Sequence, residues 1–551
     1  MGATDISSPA IHTSRHFNRE RIKVVVASSL GTIIEWYEFF LYAYLSQIIA
    51  VKFFSGVNET LGFLFALITF AIGFLVRPIG GLVFGRLGDT VGRKRTFLIT
   101  LVLMGLSTVA VGLLPTHAQV GLAAPIMLVM LRVIQGLAIG GEYGGALVYV
   151  AEHAPRKRRG LFTGFIQITV PIGLLMSVGV ISLTQGGLGD AAFNDWGWRI
   201  PFLLAGPFLI LAIWVRTKME ESPVFLQMKS EGTESRSPLK EAFATRANLR
   251  ISVIALLGGV AGQAVVWQTA TLYVMFFMNK TLGVESSTTN NLMILLMVSG
   301  VVFLLFFAWI SDFIGRKPVI ITGCVAAALL YFPIFNSLAI SANPALVLAH
   351  ENSPVTLVAG KADCASGLPF LNSGNRDGLC NVAKNTLNGR GVAFRMIEAE
   401  DGPAHVQIGD RTVPFPDAAP EDEVARTQFA KEIQDHLNAE NYPAKADMTK
   451  ANMPRIIFLL MVIVALGAMT LGPLGAQLVE IFPTKIRYSG LSLPFNIGNG
   501  WFGGLLPTIT FMITQHTGDI YAGLWYPIII ASGTALIALF FMPETRGSEI
   551  N

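Results

Sequence analysis

Four ionisable residues lie inside runs that are otherwise apolar enough to cross a lipid bilayer: Glu35, Glu38, Arg77 and Arg132. A charge at that depth is costly and is a functional candidate by default. Glu35 and Glu38 are three apart, so they share one helix face. A poorly solvated carboxylate holds a proton more readily. Such a group takes a proton from one side of a membrane and releases it to the other. The pair is therefore assigned to proton coupling without a choice between its members. The alternative is a carboxylate near the headgroups, or one paired with an arginine. Arg77 precedes Pro78, where a broken helical turn frees backbone groups. An arginine in a cavity grips a carboxylate with two parallel hydrogen bonds. The competing reading makes Arg77 a structural partner of Glu35 or Glu38.

Arg132, Gln135, Ile139 and Glu142 recur on one face of a later apolar run. A direct Arg132–Glu142 bridge is not expected, because two to three turns separate them. Gln135, Glu142, Trp36, Tyr37 and Tyr143 are read as lining a binding cavity. The second half of the chain is less charged. It offers Gln263, Trp267, Gln268 and Tyr273, then Asn496 and Asn499. Of these, Gln263, Trp267 and Asn496 are substrate-binding candidates; helix–helix hydrogen bonds are the alternative. The asymmetry suggests that the first half handles charge and the second reads shape.

The elements that hold these residues announce themselves through a loop. Gly85-Arg86-Leu87-Gly88-Asp89-Thr90-Val91-Gly92-Arg93-Lys94-Arg95 joins two apolar runs, and its D-x-x-G-R-K spacing returns as Asp312-Phe313-Ile314-Gly315-Arg316-Lys317. Two copies at matching places argue for an internal duplication, which is a transporter architecture. A second repeat agrees. Glu152 with Arg159, and Glu480 with Arg487, mark the inner end of the fourth helix of each half. These carboxylates and loop cations are expected to form an inner charge network that holds the halves together. The alternative is a set of topology charges with little pairing energy.

The chain has 551 residues, 52% hydrophobic and 14% charged, with a net charge of +4. A soluble protein would carry roughly a quarter charged residues. Apolar blocks of about 20 residues are membrane-span length. The class is an all-α polytopic membrane protein with twelve spans in two six-helix bundles. A cytoplasmic tail (1–23, the first 20 residues read as disordered) precedes the first bundle (24–216). A cytoplasmic linker (217–249) leads to the second bundle (250–542), and a cytoplasmic tail (543–551) ends the chain. Basic clusters in alternate loops place both termini inside.

A soluble insert at 341–453 interrupts the second bundle between its third and fourth helices, on the periplasmic side by the same count. It reads as a lid or partner-binding module, or as a tolerated insertion. Val424, Phe429, Ile433 and Leu437 recur there at helical spacing. Cys364 and Cys380 either pair or stay free. The basic charge lies in short loops, so nucleic-acid binding is not implied. No nucleotide-binding loop and no metal-ligand spacing is present. No enzyme activity, cofactor or metal is expected.

Several stretches resemble one family. The inter-helix loop resembles the signature of the major facilitator superfamily. Glu35-Trp36-Tyr37-Glu38-Phe39-Phe40-Leu41-Tyr42, Phe74-Leu75-Val76-Arg77-Pro78-Ile79-Gly80-Gly81, Arg132-Val133-Ile134-Gln135-Gly136 and Gly140-Gly141-Glu142-Tyr143-Gly144-Gly145 look like its metabolite:proton symporters. Pro543-Glu544-Thr545-Arg546-Gly547 is similar to the sugar-porter ending. The family usually has Asp where Glu38 stands, and the insert is not typical of it. The resemblance implies proton-coupled uptake of a small organic acid anion across a bacterial inner membrane by alternating access. It also implies a proton-movement role for Arg132 and a functional monomer. A zwitterionic osmolyte or a polyol is the alternative substrate, sodium the alternative ion and export the alternative direction. A ligand-binding membrane sensor is the alternative of a different class.

Overall fold

The computed structural model describes residues 13–55, 59–218, 221, 226, 230–231, 238–360, 364, 378–398, 403–417 and 422–548. Ten of the described helices are long and apolar enough to cross a membrane. Two further spans complete twelve. The first is Thr13–Tyr44; the eleventh is assembled from Arg487–Ile497, Gly498–Gly503 and Leu506–Thr517. The first helix starts well before residue 24, because the polar stretch with Arg15, Arg19 and Lys23 continues the helix. The disorder expected for residues 1–20 therefore fails for 13–20, and residues 1–12 lie outside the described set.

The second span is two helices, Glu59–Leu75 and Arg77–Thr90, meeting at Val76. Pro78 falls in the first turn of the latter, where a missing N–H costs nothing. The third and fourth spans are Arg93–Leu113 and Ala123–His153; the fifth is Arg159–Gln167 with Thr169–Leu188; the sixth is Arg199–Thr217. Small residues draw the second and fourth spans into backbone contact. A Cβ on Gly80 would collide with the Leu137 carbonyl, and one on Gly140 with the Arg77 carbonyl. That approach sets Arg77 against the fourth span.

The seventh span begins at Arg246–Ala255 and is interrupted by π-helical segments at Leu256–Val260, Thr269–Tyr273 and Phe277–Thr281. The eighth (Ser286–Ile314), ninth (Arg316–Ala342), tenth (Met453–Ile481) and twelfth (Trp525–Phe541) are regular. Of the linker, the described helix Pro238–Ala244 lies against the second and eleventh spans.

The insert is not all helix. It carries a four-stranded sheet in the order β2-β1-β3-β4: β1 Val355–Ala359, β2 Phe394–Glu398, β3 His405–Ile408 and β4 Arg411–Pro414. β1 and β2 run parallel, and the helix Leu379–Gly389 makes the crossover such a pair requires. The helix Glu423–Ala439 buries Phe429, Ile433 and Leu437, while Val424 stays exposed. Cys364 and Cys380 form a disulfide with Cα atoms 5.4 Å apart, and Cys324 is a buried thiol.

This module docks on the ends of two spans of the second bundle. Phe394 N–H donates to the Gly518 carbonyl at 3.0 Å and Asn388 Nδ2 to Gln515 Oε1 at 2.7 Å, both beside the eleventh span. Ala446 N–H donates to the Gly283 carbonyl at 3.0 Å, beyond the seventh.

Candidate functional site

Five spans of the two bundles converge on Arg77. Its Nε donates to Asn496 Oδ1 of the eleventh span at 3.3 Å. Its guanidinium carbon lies 5.9 Å from the Trp36 ring centre and 5.7 Å from that of Phe74. Trp36 meets Tyr143 edge-on at 6.2 Å, and Tyr143 stacks on Phe495 at 4.6 Å. The Tyr143 hydroxyl donates to Gln167 Oε1 of the fifth span. Asn496 is itself pinned, its Nδ2 donating to the Gly140 and Ser492 carbonyls at 2.7 and 2.8 Å.

Within this cluster three buried N–H donors have no acceptor among the described residues: Arg77 Nη2, Trp36 Nε1 and Gln167 Nε2. Both oxygens of the buried Glu35 carboxylate likewise have no partner. Buried polar groups are nearly always satisfied, so a concentration of unpaired ones marks a place built for something polar.

A second cluster lies in the first bundle alone. Glu38 Oε2 accepts from Thr108 Oγ1 at 2.9 Å. Thr108 Oγ1 accepts from Gln135 Nε2 at 2.8 Å, and Gln135 Oε1 accepts from Arg132 Nη1 at 2.8 Å. The Arg132 guanidinium caps the Tyr42 ring at 3.5 Å. Glu38 and Arg132 are thus joined through two intermediaries rather than by direct contact.

Three candidates depart from the cavity reading. Tyr37 points the other way, donating to the Pro201 carbonyl at 2.7 Å and packing edge-on against Phe208 of the sixth span. Gln135 spends both ends of its amide on Arg132 and Thr108. Glu142 is ion-paired with Arg216 from the last turn of the sixth span. Arg216 reaches it across Gly31, where a Cβ would collide with the guanidinium. In the second bundle Trp267 packs on Gly467, and the Gln263 carbonyl oxygen is buried without a partner. Among the described residues no hydrogen bond or ring contact joins either to the Arg77 cluster. Asn496 does reach it.

The end of the molecule that carries the duplicated loops is closed by reciprocal contacts. Glu152 of the first bundle pairs with Arg487 of the second at 3.1 Å; Glu480 of the second pairs with Arg159 of the first at 2.8 Å. Glu480 also meets Arg316 at 3.4 Å, and Arg316 meets Asp312 at 2.8 Å. The loop aspartates cap helices of the opposite bundle. Asp89 accepts from Ser489 N–H at 2.9 Å, and Asp312 accepts from the Gly160 and Leu161 N–H groups, each at 2.9 Å. A carboxylate at a helix start meets unpaired N–H groups and the positive end of the helix dipole.

Gly85 and Gly88 lie flush against Ser489 and Tyr488. Gly92 and Gly315 take φ of +116° and +109°, so both loops leave their glycine by the same left-handed turn that favours this residue.

Not every loop residue bridges the bundles. Lys94 Nζ donates to the Thr217 carbonyl at 2.9 Å, and Lys317 Nζ to the Leu539 carbonyl at 2.9 Å, each within its own half. Arg95 is exposed, and the Arg93 side chain lies outside the described set. Glu221 and Glu544 occupy matching positions, accepting from the Lys94 and Lys317 backbone N–H groups.

Thr108, Gln167, Arg216 and Glu221 were not singled out from sequence, and Glu544 entered only as part of the tail signature, without a role. Arg216 sits at a span end, where a cation reads as a topology signal. Thr108 and Gln167 carry no charge to expose them.

Two pseudo-symmetric six-helix bundles, sealed at one end by repeated loop signatures and lined within by buried charge, define a multi-pass membrane carrier. The profile of the sugar (and other) transporter family matches residues 23–248 and 438–551. The chain is 35% identical over 341 residues to the shikimate transporter of Escherichia coli K12, covering 61% of this chain and 77% of that one. It is 34% identical over 529 residues to the ectoine/proline transporter ProP of Corynebacterium glutamicum, covering 94% and 82%. The solved structure of the MFS (major facilitator superfamily) proton:xylose symporter XylE bound to 6-bromo-6-deoxy-D-glucose shares the fold, with TM-score 0.64 at 17% identity over 97% of this chain and 98% of that one. The chain belongs to the sugar (and other) transporter family, and its fold is the major facilitator fold. It is a transporter, not an enzyme.

Proposed function

We propose that this transporter moves a small carboxylate anion together with a proton by alternating access. The observation that carries the reading is the trio of unpartnered donors at Arg77, Trp36 and Gln167. Three N–H groups without acceptors suit a group that brings only acceptors, and a guanidinium suits a carboxylate above all.

The buried charge supports a coupled proton. Away from the loop end of the first bundle, the buried ionisable residues among those described are Glu35, Glu38 and Glu142 with Arg77, Arg132 and Arg216, three acids and three bases. An anion entering that balanced set leaves a net negative charge in a medium that solvates charge poorly. A proton on Glu35 or Glu38 restores the balance.

Binding also has a route to the gate. The Arg77–Asn496 hydrogen bond crosses between the bundles. An anion that takes the guanidinium competes with Asn496 and loosens the eleventh span from the second and fourth. In this reading the loop end is cytoplasmic and holds both termini, the insert is periplasmic, and the 217–249 linker is cytoplasmic. The membrane is the bacterial inner membrane, flux is inward and the monomer is the working unit. The Glu152–Arg487 and Glu480–Arg159 pairs hold the cytoplasmic side shut.

A zwitterionic substrate is the second reading. The unpartnered Glu35 carboxylate and the rings of Trp36, Tyr143 and Phe495 suit a cationic group beside the Arg77 site. The ectoine/proline relative makes it worth a direct test.

The experiment is proton uptake by the purified protein in liposomes, driven by shikimate, other mono-, di- and tricarboxylates, ectoine, proline or betaine. A carboxylate that carries protons inward, with the effect lost in Arg77→Ala by about 100-fold or more, supports the reading; removing a buried charge partner costs several kcal/mol. Proton entry driven only by zwitterions moves the substrate class. Binding without flux points to a sensor.

A further inference from the structure

We infer that Thr108 is the positioning residue of the proton-coupling carboxyl, holding Glu38 by a hydrogen bond in both of its protonation states. The inference rests on the proposed coupling reading of Glu38 and adds a residue that the reading does not name. A hydroxyl has one hydrogen to give and two lone pairs to receive with. Around Thr108 Oγ1 the structure places three partners. Gln135 Nε2 is a fixed donor at 2.8 Å, the Met104 carbonyl is a fixed acceptor at 3.0 Å, and Glu38 Oε2 lies at 2.9 Å. Only the third partner changes character when it titrates.

With Glu38 ionised, the Thr108 hydrogen points at Glu38 Oε2. With Glu38 protonated, the carboxyl donates to Thr108, and the Thr108 hydrogen turns to the Met104 carbonyl. Each arrangement needs one hydrogen and at most two lone pairs, so the Thr108–Glu38 and Gln135–Thr108 bonds persist in both states without moving a heavy atom, and only the Thr108 contact to the Met104 carbonyl is made or given up. Gln135 stays on Thr108 throughout and keeps Arg132 attached, so the charge on Glu38 reaches Arg132 through a chain of constant geometry. A valine has the same shape as threonine but offers none of this.

The titratable and charged groups facing Glu38 are Glu35 and Tyr37 from its own span and Glu142 and Arg132 from the fourth. Arg77 from the second span and Arg216 from the sixth act on Glu35 beside it. The third span contributes hydroxyls. None of these groups depends on Thr108 for its own position except Arg132, by way of Gln135.

The test is infrared titration of the purified full-length protein without substrate, taking the carboxyl band that disappears in Glu38→Gln as the signal of Glu38. A hydrogen bond to an ionised acceptor is worth more than one to its neutral form. Thr108→Val is therefore expected to move the midpoint of that band up by about one pH unit. Thr108→Ser should leave it within about 0.3 unit, because it restores the hydroxyl. Thr108→Ala, which only removes atoms, serves if the valine variant does not fold. A midpoint unmoved in Thr108→Val or Thr108→Ala overturns the inference while leaving Glu38 as the coupling group. A Glu38 band that never titrates overturns the coupling reading itself.

Discussion

The two bundles repeat one topology but invest their interiors differently. Away from its loop end, the first buries Glu35, Glu38, Arg77, Arg132, Glu142 and Arg216 in α-helical segments, Arg77 beside the break at Val76. The second, among its described residues, keeps its buried charges at the loop end, in Asp312, Arg316 and Arg487. Within the membrane it offers amides, hydroxyls and a helix ladder broken by π segments at Leu256–Val260, Thr269–Tyr273, Phe277–Thr281 and Gly498–Gly503. A helix interrupted in this way bends where a regular one resists. The buried charges of the first bundle sit in α-helical segments, and the π segments of the second bundle bury no charge. A buried ionisable group needs its partners held in place, because a lost partner leaves an uncompensated charge.

That contrast yields its largest expected effect when a buried pair is split. Arg216→Met should destabilise the protein by about 3–5 kcal/mol, because Glu142 is left buried without its ionic partner, held only by the Thr100 hydroxyl at 3.4 Å. The double variant Arg216→Met/Glu142→Gln should recover most of the loss. In the second bundle, Gln263→Leu should change stability by less than about 1 kcal/mol, since its carbonyl oxygen has no partner to lose. Thermal unfolding in detergent compares all three. A Gln263→Leu loss as large as that of Arg216→Met would end the distinction.

A smaller effect probes pliancy. A Cβ on Gly498 would press into Val260, joining the π segments of the seventh and eleventh spans. Gly498→Ala should slow exchange between inward and outward states by about tenfold, a barrier increase of about 1.4 kcal/mol. Substrate affinity should be little changed. Transport rate against binding in the same liposomes separates the two.

The smallest concerns the insert. Burial pushes the His350 imidazole down to about 4, against a backbone hydrogen bond from its ring to Gly391 that opposes the shift. The unfolded imidazole takes its proton near pH 6.5, the folded one only near pH 4. The unfolded insert therefore binds more protons across that window, and insert stability falls as pH drops through it, by up to about 3 kcal/mol. His350→Phe should flatten this dependence, as read by proteolysis of the insert between pH 7 and 4, and leave transport at neutral pH intact.

Sequence reasoning reached what is expensive. Charges in apolar runs stand out because lipid makes them costly, and the duplicated D-x-x-G-R-K loop stands out because it repeats. The cheap and the local stayed hidden. A threonine in a span bonds the preceding turn as a rule, as Thr510 does with the Leu506 carbonyl at 2.8 Å, so nothing marks Thr108 as different. Glu544 sits among tail residues where charge is ordinary, and its capping of the ninth span is visible only in three dimensions. The strands of the insert are four or five residues long, too brief for an alternating pattern to emerge from a polar background. Glu35 and Glu38 share a helix face as their spacing requires, yet the structure gives one a hydrogen-bond chain and the other none.

The ends of the insert meet. Asn452 N–H donates to the Ser341 carbonyl at 2.9 Å, so the chain leaves the ninth span and rejoins the tenth almost at the same point. In evolutionary terms this is a splice that leaves its host undisturbed: a carrier with a short turn at this place accepts a whole domain without lengthening, tilting or parting any span. The same geometry makes the position a natural port for protein engineering. A different folded module whose termini are equally close can be exchanged there, carried on the outside of one bundle, and made to report its movement against the other.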